Sequence, residues 1–332
     1  MGESLVQRQT AVVYARCMLS DHLLDECLAR LQHPAVRDLA WTLLAAPLLE
    51  TLPCAQRHPL AGSRWARQPG LLADWLLQQE QHPGALLDWL ARARSQRLGI
   101  HYEQLWQFAL QQAPGVQLLA ANLPVRAGAR TLGELDLLLR DADGVHHLEL
   151  AIKLYLGPAG GDGRLYSSWR GAGRADNLQR KLRHLSRQQL PLAASPQARQ
   201  LLAEHAVSTV HSALWMSGYL FYPWPDGCAP PAGSHAGHAR GHWLRHSDWP
   251  GFCQHARAQH WQPVPRECRL APLSLQEEQR WPGRQLQDWL DALASSAPPM
   301  LLAGFAQDTD GRWYERTRVM LLNNQWPAGH DG

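Results

Sequence analysis

Leu132-Gly-Glu-Leu-Asp-Leu-Leu-Leu-Arg140 and Val145-His-His-Leu-Glu-Leu-Ala-Ile-Lys-Leu-Tyr155 are joined by Asp141-Ala-Asp-Gly144. The joint is a strong turn signal between two runs that read as strands, so the stretch reads as a β-hairpin. Side chains alternate along a strand. On the first strand Leu135, Leu137 and Leu139 share one face, and Glu134, Asp136 and Leu138 share the other. On the second, Leu148, Leu150, Ile152 and Leu154 oppose His147, Glu149, Ala151 and Lys153. A turn at Ala142-Asp143 sets Asp136 opposite Glu149, and a turn at Asp143-Gly144 slips the pairing by two. Neither changes the faces. A slip by one would set carboxylates against leucines, which burial forbids.

The surroundings of the hairpin read as mixed α and β. Val116 to Val125 reads as a strand before it. Helical patterns cover Val36 to Leu49, Leu71 to Gln79, Ala85 to Arg94 and Ile100 to Gln112, the last closed by Pro114-Gly115. Beyond the hairpin, residues 157–173 are a Gly-rich loop and Arg174 to Gln189 a basic helix with Leu178, Leu182 and Leu185 as its apolar stripe. Pro191 and Pro196 bracket a linker into a helix over Gln197 to Glu204. Val207 to Tyr222 is a long strand and His242 to His246 a short one. Helices are expected at Asp248 to His255, Ser274 to Arg280 and Gln285 to Leu293. Met300 to Gln307 and Arg312 to Leu322 close the chain as a hairpin around Asp310-Gly311.

The composition bounds the classes. The 332 residues are 45% hydrophobic, enough for a sizeable core and against wholesale disorder. The net charge of +3 is compatible with a nucleic-acid partner but too weak to argue for one. No apolar run is long enough for a transmembrane helix, and the polar opening Met1 to Thr10 does not read as a signal peptide. The six cysteines lack CxxC spacing, so free thiols in a cytoplasmic protein are expected. Usage rich in Leu, Ala, Arg and Trp points to a bacterial, GC-rich source. No Walker-type loop, dinucleotide fingerprint or GxSxG occurs. His235, His238, His242 and His246 sit in a loop-rich run without cysteines at ligand spacing, which argues against zinc.

The hairpin is therefore where chemistry is expected. One face converges carboxylates and an ammonium within a few residues, and like charges on neighbouring strands repel. A divalent cation is the usual remedy, held by hard carboxylate oxygens with water completing the shell. Such a cation can activate water and carry charge on a phosphoryl oxygen. Asp136, Glu149 and Glu134 are the candidate ligands for Mg²⁺ or Mn²⁺, and Lys153 the group to assist the water.

The segment resembles the core of the PD-(D/E)XK nuclease-like superfamily. The resemblance rests on an acid on the first strand of a hairpin, then an acid and a lysine on the second, with Glu149 thirteen residues after Asp136. It implies a restriction-endonuclease-like α/β core, with a central mixed sheet flanked by helices. It also implies a further acid, Glu103, on the preceding helix, and a following helix that reaches the nucleic acid through Asn177, Gln179, Arg180 and Lys181. More narrowly, Glu149-Leu-Ala-Ile-Lys-Leu-Tyr-Leu-Gly157 and Asp176-Asn-Leu-Gln-Arg-Lys-Leu-Arg-His-Leu185 resemble a bacterial domain-of-unknown-function family, number 1853. One residue departs from the superfamily pattern: its lysine belongs at position 151, which is alanine. Lys153 lies two residues on, on the same face, about 6–7 Å along the strand. Two readings stay open, a nuclease with a displaced lysine and a catalytically inactive nuclease-fold protein that binds nucleic acid or protein. The expected organisation is an N-terminal helical region over 1–97 and a nuclease-like domain over 98–332.

Overall fold

The computed structural model of the chain describes residues 21–326 except 94, 96, 174, 294, 295 and 310. Helices come first: α1 (Asp21–Arg30), α2 (Pro34–Leu44), α3 (Arg64–Arg67), α4 (Pro69–Gln81), α5 (Gly84–Leu90) and α6 (Leu98–Leu110). The expected three strands follow as β1 (Gln117–Ala127), β2 (Arg130–Asp141) and β3 (Gly144–Leu156). After the short β4 (Arg170–Gly171) comes α7 (Leu178–His184), which runs through a π-turn (Leu185–Gln189) into α8 (Leu190–Leu192). Then come α9 (Pro196–Glu204), β5 (His211–Pro223), β6 (Ala239–Arg245), α10 (Trp249–His255), β7 (His260–Pro263), β8 (Ser274–Leu275), α11 (Gly283–Asp291), β9 (Met300–Gln307) and β10 (Trp313–Leu322).

The strands form one mixed sheet in the order β1-β2-β3-β5-β6-β10-β9-β7, with β4 joined to β3 and β8 to β10. The β3–β5, β5–β6 and β6–β10 pairs are parallel, and β3 and β5, buried along most of their length, lie inside the sheet. Both faces of β3 are covered. Leu148, Leu150 and Ile152 pack with Trp106, Ala109 and Trp215 in the main core beneath the N-terminal helices. Ala151 and Tyr155 pack on Leu178, Leu182 and Leu185 on the opposite side. The parallel β3–β5 contact is close at Gly218, where a Cβ would stand 1.7 Å from the Lys153 carbonyl oxygen at a φ of +142°. Only glycine fits there.

The N-terminal helices and the sheet share one core. Trp41 of α2 stacks on Tyr219 of β5 at 5.5 Å, and α1, α2, α4 and α6 contribute to the same cluster as β3, β5 and β10. The readings for residues before 21, and for Asp310 and Arg174, lie outside the described residues. No described helix is long and apolar enough to cross a membrane.

Three expectations change. The stretch from Ser274 to Arg280 is not a helix: Leu275 and Ser274 pair with Trp313 and Tyr314 of β10, and a single 3₁₀ turn follows. Pro191 does not open a linker but lies inside a helix. The π-turn before it supplies a longer hydrogen-bonding ring, from the Leu190 N–H to the Leu185 carbonyl, just where proline withdraws a donor. Leu135 does not pack with Leu137 and Leu139; it joins Leu138, Val125, Leu192 and Leu202, on the part of β2 before Leu137 that does not pair with β3.

Candidate functional site

Asp141 pairs with Gly144 and Leu137 with Leu148, so the turn is Ala142-Asp143 and the two strands run in the first of the two expected registers. Buried acid–base contacts fix the turn. Arg57 Nη2 lies 2.6 Å from Asp141 Oδ2 and 2.7 Å from Asp143 Oδ2, and the Asp143 N–H donates to Asp141 Oδ1. Burial opposes the charge on Asp141, yet hydrogen bonds from His146 and Arg57 hold its carboxyl down at about 2. The register that sets the site is thus locked from the turn end.

The ladder between β2 and β3 stops at Leu137 and Leu148, while β4 takes up the same edge of β3 only at Tyr155. Between them the edge has no strand partner. Asp136 sits at the mouth of this gap, and its Oδ2 accepts the Leu150 N–H at 2.9 Å, replacing the ladder bond that β2 no longer supplies. Glu149 lies one residue away and is 1% exposed. Its Oε1 is 2.9 Å from His147 Nε2, and its Oε2 accepts from Gln189 Nε2 at 3.3 Å. His147 is fully buried and its Nδ1 meets Ser212 Oγ at 3.1 Å on β5. The π-turn is what brings Gln189 here: it stands over Gly133 of β2, where a Cβ would press on Leu192 and Gln189.

Two further charged elements converge on the same spot. Burial pushes Asp136 up to about 7, and the charges of Glu149 and Glu103 add to the rise; the Leu150 N–H and Lys181 work against it. Glu103 on α6 is also raised, by burial first and then by Glu134 and Glu149. Lys181 on α7 is lowered, by burial first and then by Lys153, while Asp136, Glu149 and Asp176 pull it back up. The Lys181 ammonium makes no hydrogen bond or ion pair among the described residues. Lys153 does not pair with Glu149: its Nζ is 2.7 Å from Asp176 Oδ2, which also accepts from the Tyr155 hydroxyl at 3.4 Å.

The structure therefore gathers Glu103, Asp136, Glu149 and Lys181 and sets the Lys153–Asp176 pair beside them. Glu134 is exposed at the rim. Asn177 is the N-cap of α7, its side-chain oxygen accepting the Arg180 N–H at 2.8 Å. Gln179 and Arg180 are exposed, and Arg180 Nη1 donates to the Ala175 carbonyl. His147, Gln189 and Asp176 were given no role from sequence. The signal for His147 was present, since it stands two residues before Glu149 on the same strand face. Gln189 carried no signal, because a π-turn aims it.

The fit of a divalent cation can be judged from these groups. Among the described residues no set of three or more His, Cys, Asp or Glu side chains is disposed as a metal cage. What is present is a pair of hard carboxylates, Asp136 and Glu149, with more negative charge around them than the nearby lysine balances. That donor set suits Mg²⁺ or Mn²⁺ held mainly by water and by one or two carboxylates. It does not suit a cation enclosed by protein. His238, from the histidine run, is occupied elsewhere: its Nε2 lies 2.8 Å from the Tyr222 hydroxyl.

The family model for a domain of unknown function, DUF1853, matches residues 37–322. The chain belongs to the DUF1853 family. The matched span begins within α2 and runs through β10, so α3 to α6 and the sheet fall within one family unit, as their shared core suggests. No curated protein and no solved structure matches the chain.

Proposed function

We propose that this DUF1853 member is a metal-dependent phosphodiesterase acting on nucleic acid, built on a restriction-endonuclease-like core. The observation that carries the reading is the meeting of Asp136 and Glu149 at the break between β2 and β3, in surroundings that push the Asp136 carboxyl up to about 7. Two buried acids in contact with each other's charge call for a cation or a proton. Mg²⁺ or Mn²⁺ at this pair supplies Lewis acidity toward a phosphoryl oxygen and lowers the pKa of water. Asp136 and Glu149 hold it, with His147 and Gln189 fixing the Glu149 carboxylate. Glu103 supports from α6. Lys181 takes the role that the alanine at 151 leaves open. Ala151 is small enough for α7 to pack on β3 through Leu178 and Leu182, and that packing carries Lys181 toward the acids. Lys153, tied to Asp176, orients the β4 side of the gap. Gln179, Arg180 and the free amide of Asn177 line the approach of the backbone. A bacterial cytoplasmic setting belongs to this proposal, on residue usage and the unpaired spacing of the cysteines.

A second reading has its own observation. Both Glu149 oxygens are already hydrogen-bonded and the residue is 1% exposed, which suits a carboxylate kept for structure in an inactive nuclease fold that binds nucleic acid or protein. Cleavage assays separate the two. With Mg²⁺ or Mn²⁺, the purified protein is expected to cut at least one of single-stranded, duplex or branched DNA or RNA. Lys181→Met is expected to lower the rate by about 10²-fold or more, and Lys153→Met by less. Absence of metal-dependent cutting on the whole panel would establish the second reading instead.

A further inference from the structure

The β1–β2 hairpin runs on beyond the site. Gly133 lies under the π-turn, but the chain from Arg126 to Leu132 is exposed throughout. Arg130 lies three residue steps from Gly133 along the strand, so the tip stands about 10 Å past the helix that covers the sheet, and about 20 Å from Asp136. Its turn, Gly128-Ala129, has open space around it: nothing lies within 4 Å of a Cβ built on Gly128. The tip carries two arginines. Arg126 pairs with Thr131 and Arg130 with Ala127, so the register puts the two guanidinium groups on opposite faces of the ribbon. Neither forms an ion pair among the described residues. Arg187 is exposed on the π-turn that packs on β2, and Arg183 is exposed on α7 one turn before it; neither forms an ion pair among the described residues.

We propose that the β1–β2 tip is a duplex-gripping ribbon that enters the major groove of double-stranded DNA, while Arg183 and Arg187 meet the backbone beside it. A two-stranded ribbon fits the major groove of B-DNA, which is about 12 Å wide. Entering tip first, it turns its two faces to the two groove walls, and those walls are phosphate. One arginine on each face matches that geometry; a ribbon built to lie flat on a single strand would carry both on one face. Unpaired, exposed arginines complement a polyanion, and their contacts position a backbone without reading sequence. The inference deepens the proposed function by naming its substrate as duplex, and it rests on that reading only for the chemistry, since gripping needs no cleavage.

The test is fluorescence anisotropy with EDTA present, using a labelled duplex, its single strand, and a labelled poly-glutamate chain as a non-nucleic polyanion. The full chain is expected to bind the duplex more tightly than either of the others. Arg126→Ala/Arg130→Ala is expected to weaken duplex binding about tenfold and to reduce the slope of log K against log salt by about 2, at ~0.9 per lost phosphate contact. Both positions are exposed, and a circular dichroism melt matched to wild type shows that the fold is intact. No duplex binding, equal binding of poly-glutamate, or an unchanged slope in the double variant would overturn the proposal. A protein that grips duplex through these arginines yet never cuts defeats only the proposed chemistry. One that cuts with the double variant's affinity unchanged defeats only the ribbon.

Discussion

Asp136→Asn is expected to make the metal-free protein more stable at about pH 8 while abolishing the proposed metal-dependent cleavage. The two effects share one cause. Burial and the neighbouring Glu149 hold a proton on Asp136 up to about pH 7, far above where the unfolded chain releases it. A folded-state pKa raised in this way lowers stability as pH climbs from about 4 through about 7, because over that window the folded protein binds more protons than the unfolded one. Each pH unit is worth about 1.4 kcal/mol, and halving the total for partial solvent screening leaves about 2 kcal/mol lost by pH 8. Asparagine keeps an oxygen for the Leu150 N–H and carries no charge, so it escapes the loss. Urea unfolding at about pH 5 and about pH 8 reads this out: the variant and wild type should agree at the lower pH and separate at the higher. Equal stability at both would mean that Asp136 feels no such strain. Loss of cleavage in a more stable variant would show that the residue is retained for chemistry against the interest of the fold.

Arg318→Met is expected to cost about 3–5 kcal/mol, the usual loss when one partner of a buried ion pair is removed. Arg318 is 1% exposed. Its Nε and Nη2 meet Glu315 at 2.6 and 2.8 Å, and its remaining N–H groups donate to the Arg269 and Ala271 carbonyls at 2.6 and 2.8 Å. The guanidinium also lies 4.7 Å from the Tyr219 ring centroid, and Tyr219 stacks on Trp41. On the other side of the same segment, Arg37 donates to the Pro272 carbonyl and Asp38 accepts the Ala271 N–H. The Arg318 guanidinium therefore ties β10 to the 269–273 segment, and Arg37 and Asp38 tie that segment to α2. Removing it leaves Glu315 buried with a charge and two carbonyls without donors. Urea unfolding of Arg318→Met measures the loss, and Arg318→Met/Glu315→Leu should recover part of it by removing the stranded charge. A loss below about 1 kcal/mol would show that the clamp is dispensable.

The hairpin was legible in the sequence because a strand period of two, with leucines on one side, tolerates only even slips. Both candidate turns kept Asp136 and Glu149 on one face, and the Arg57 clamp chose between them from a residue far outside the hairpin. Glu103 was legible through the resemblance to a known nuclease core, not through its own helix pattern. Lys153 reads from its strand face as the group to assist the water, because strand geometry says where a side chain starts and not which acid it meets; in the fold Asp176, on the loop before α7, meets it. Lys181 was placed on a substrate-facing helix, while its approach to the acids follows from how the Leu178–Leu182 stripe seats on Ala151. That is tertiary packing, invisible in a helical period. The same limit applies to the N-terminal helices. Their composition predicted helix, but nothing local said that Trp41 would stack on a strand nearly two hundred residues later. Ser274 to Arg280 had helical composition and became a strand and a turn, since β10 offered Leu275 a partner.

The proposed role of Asp136 and Glu149 is to hold a divalent cation. Titration calorimetry of the full chain with Mn²⁺, followed by thermal melts with and without the ion, tests it most directly. Wild type is expected to give a saturable heat and a raised melting temperature, both lost in Asp136→Asn. No heat and no shift in wild type, or binding that survives unchanged in Asp136→Asn, would contradict it.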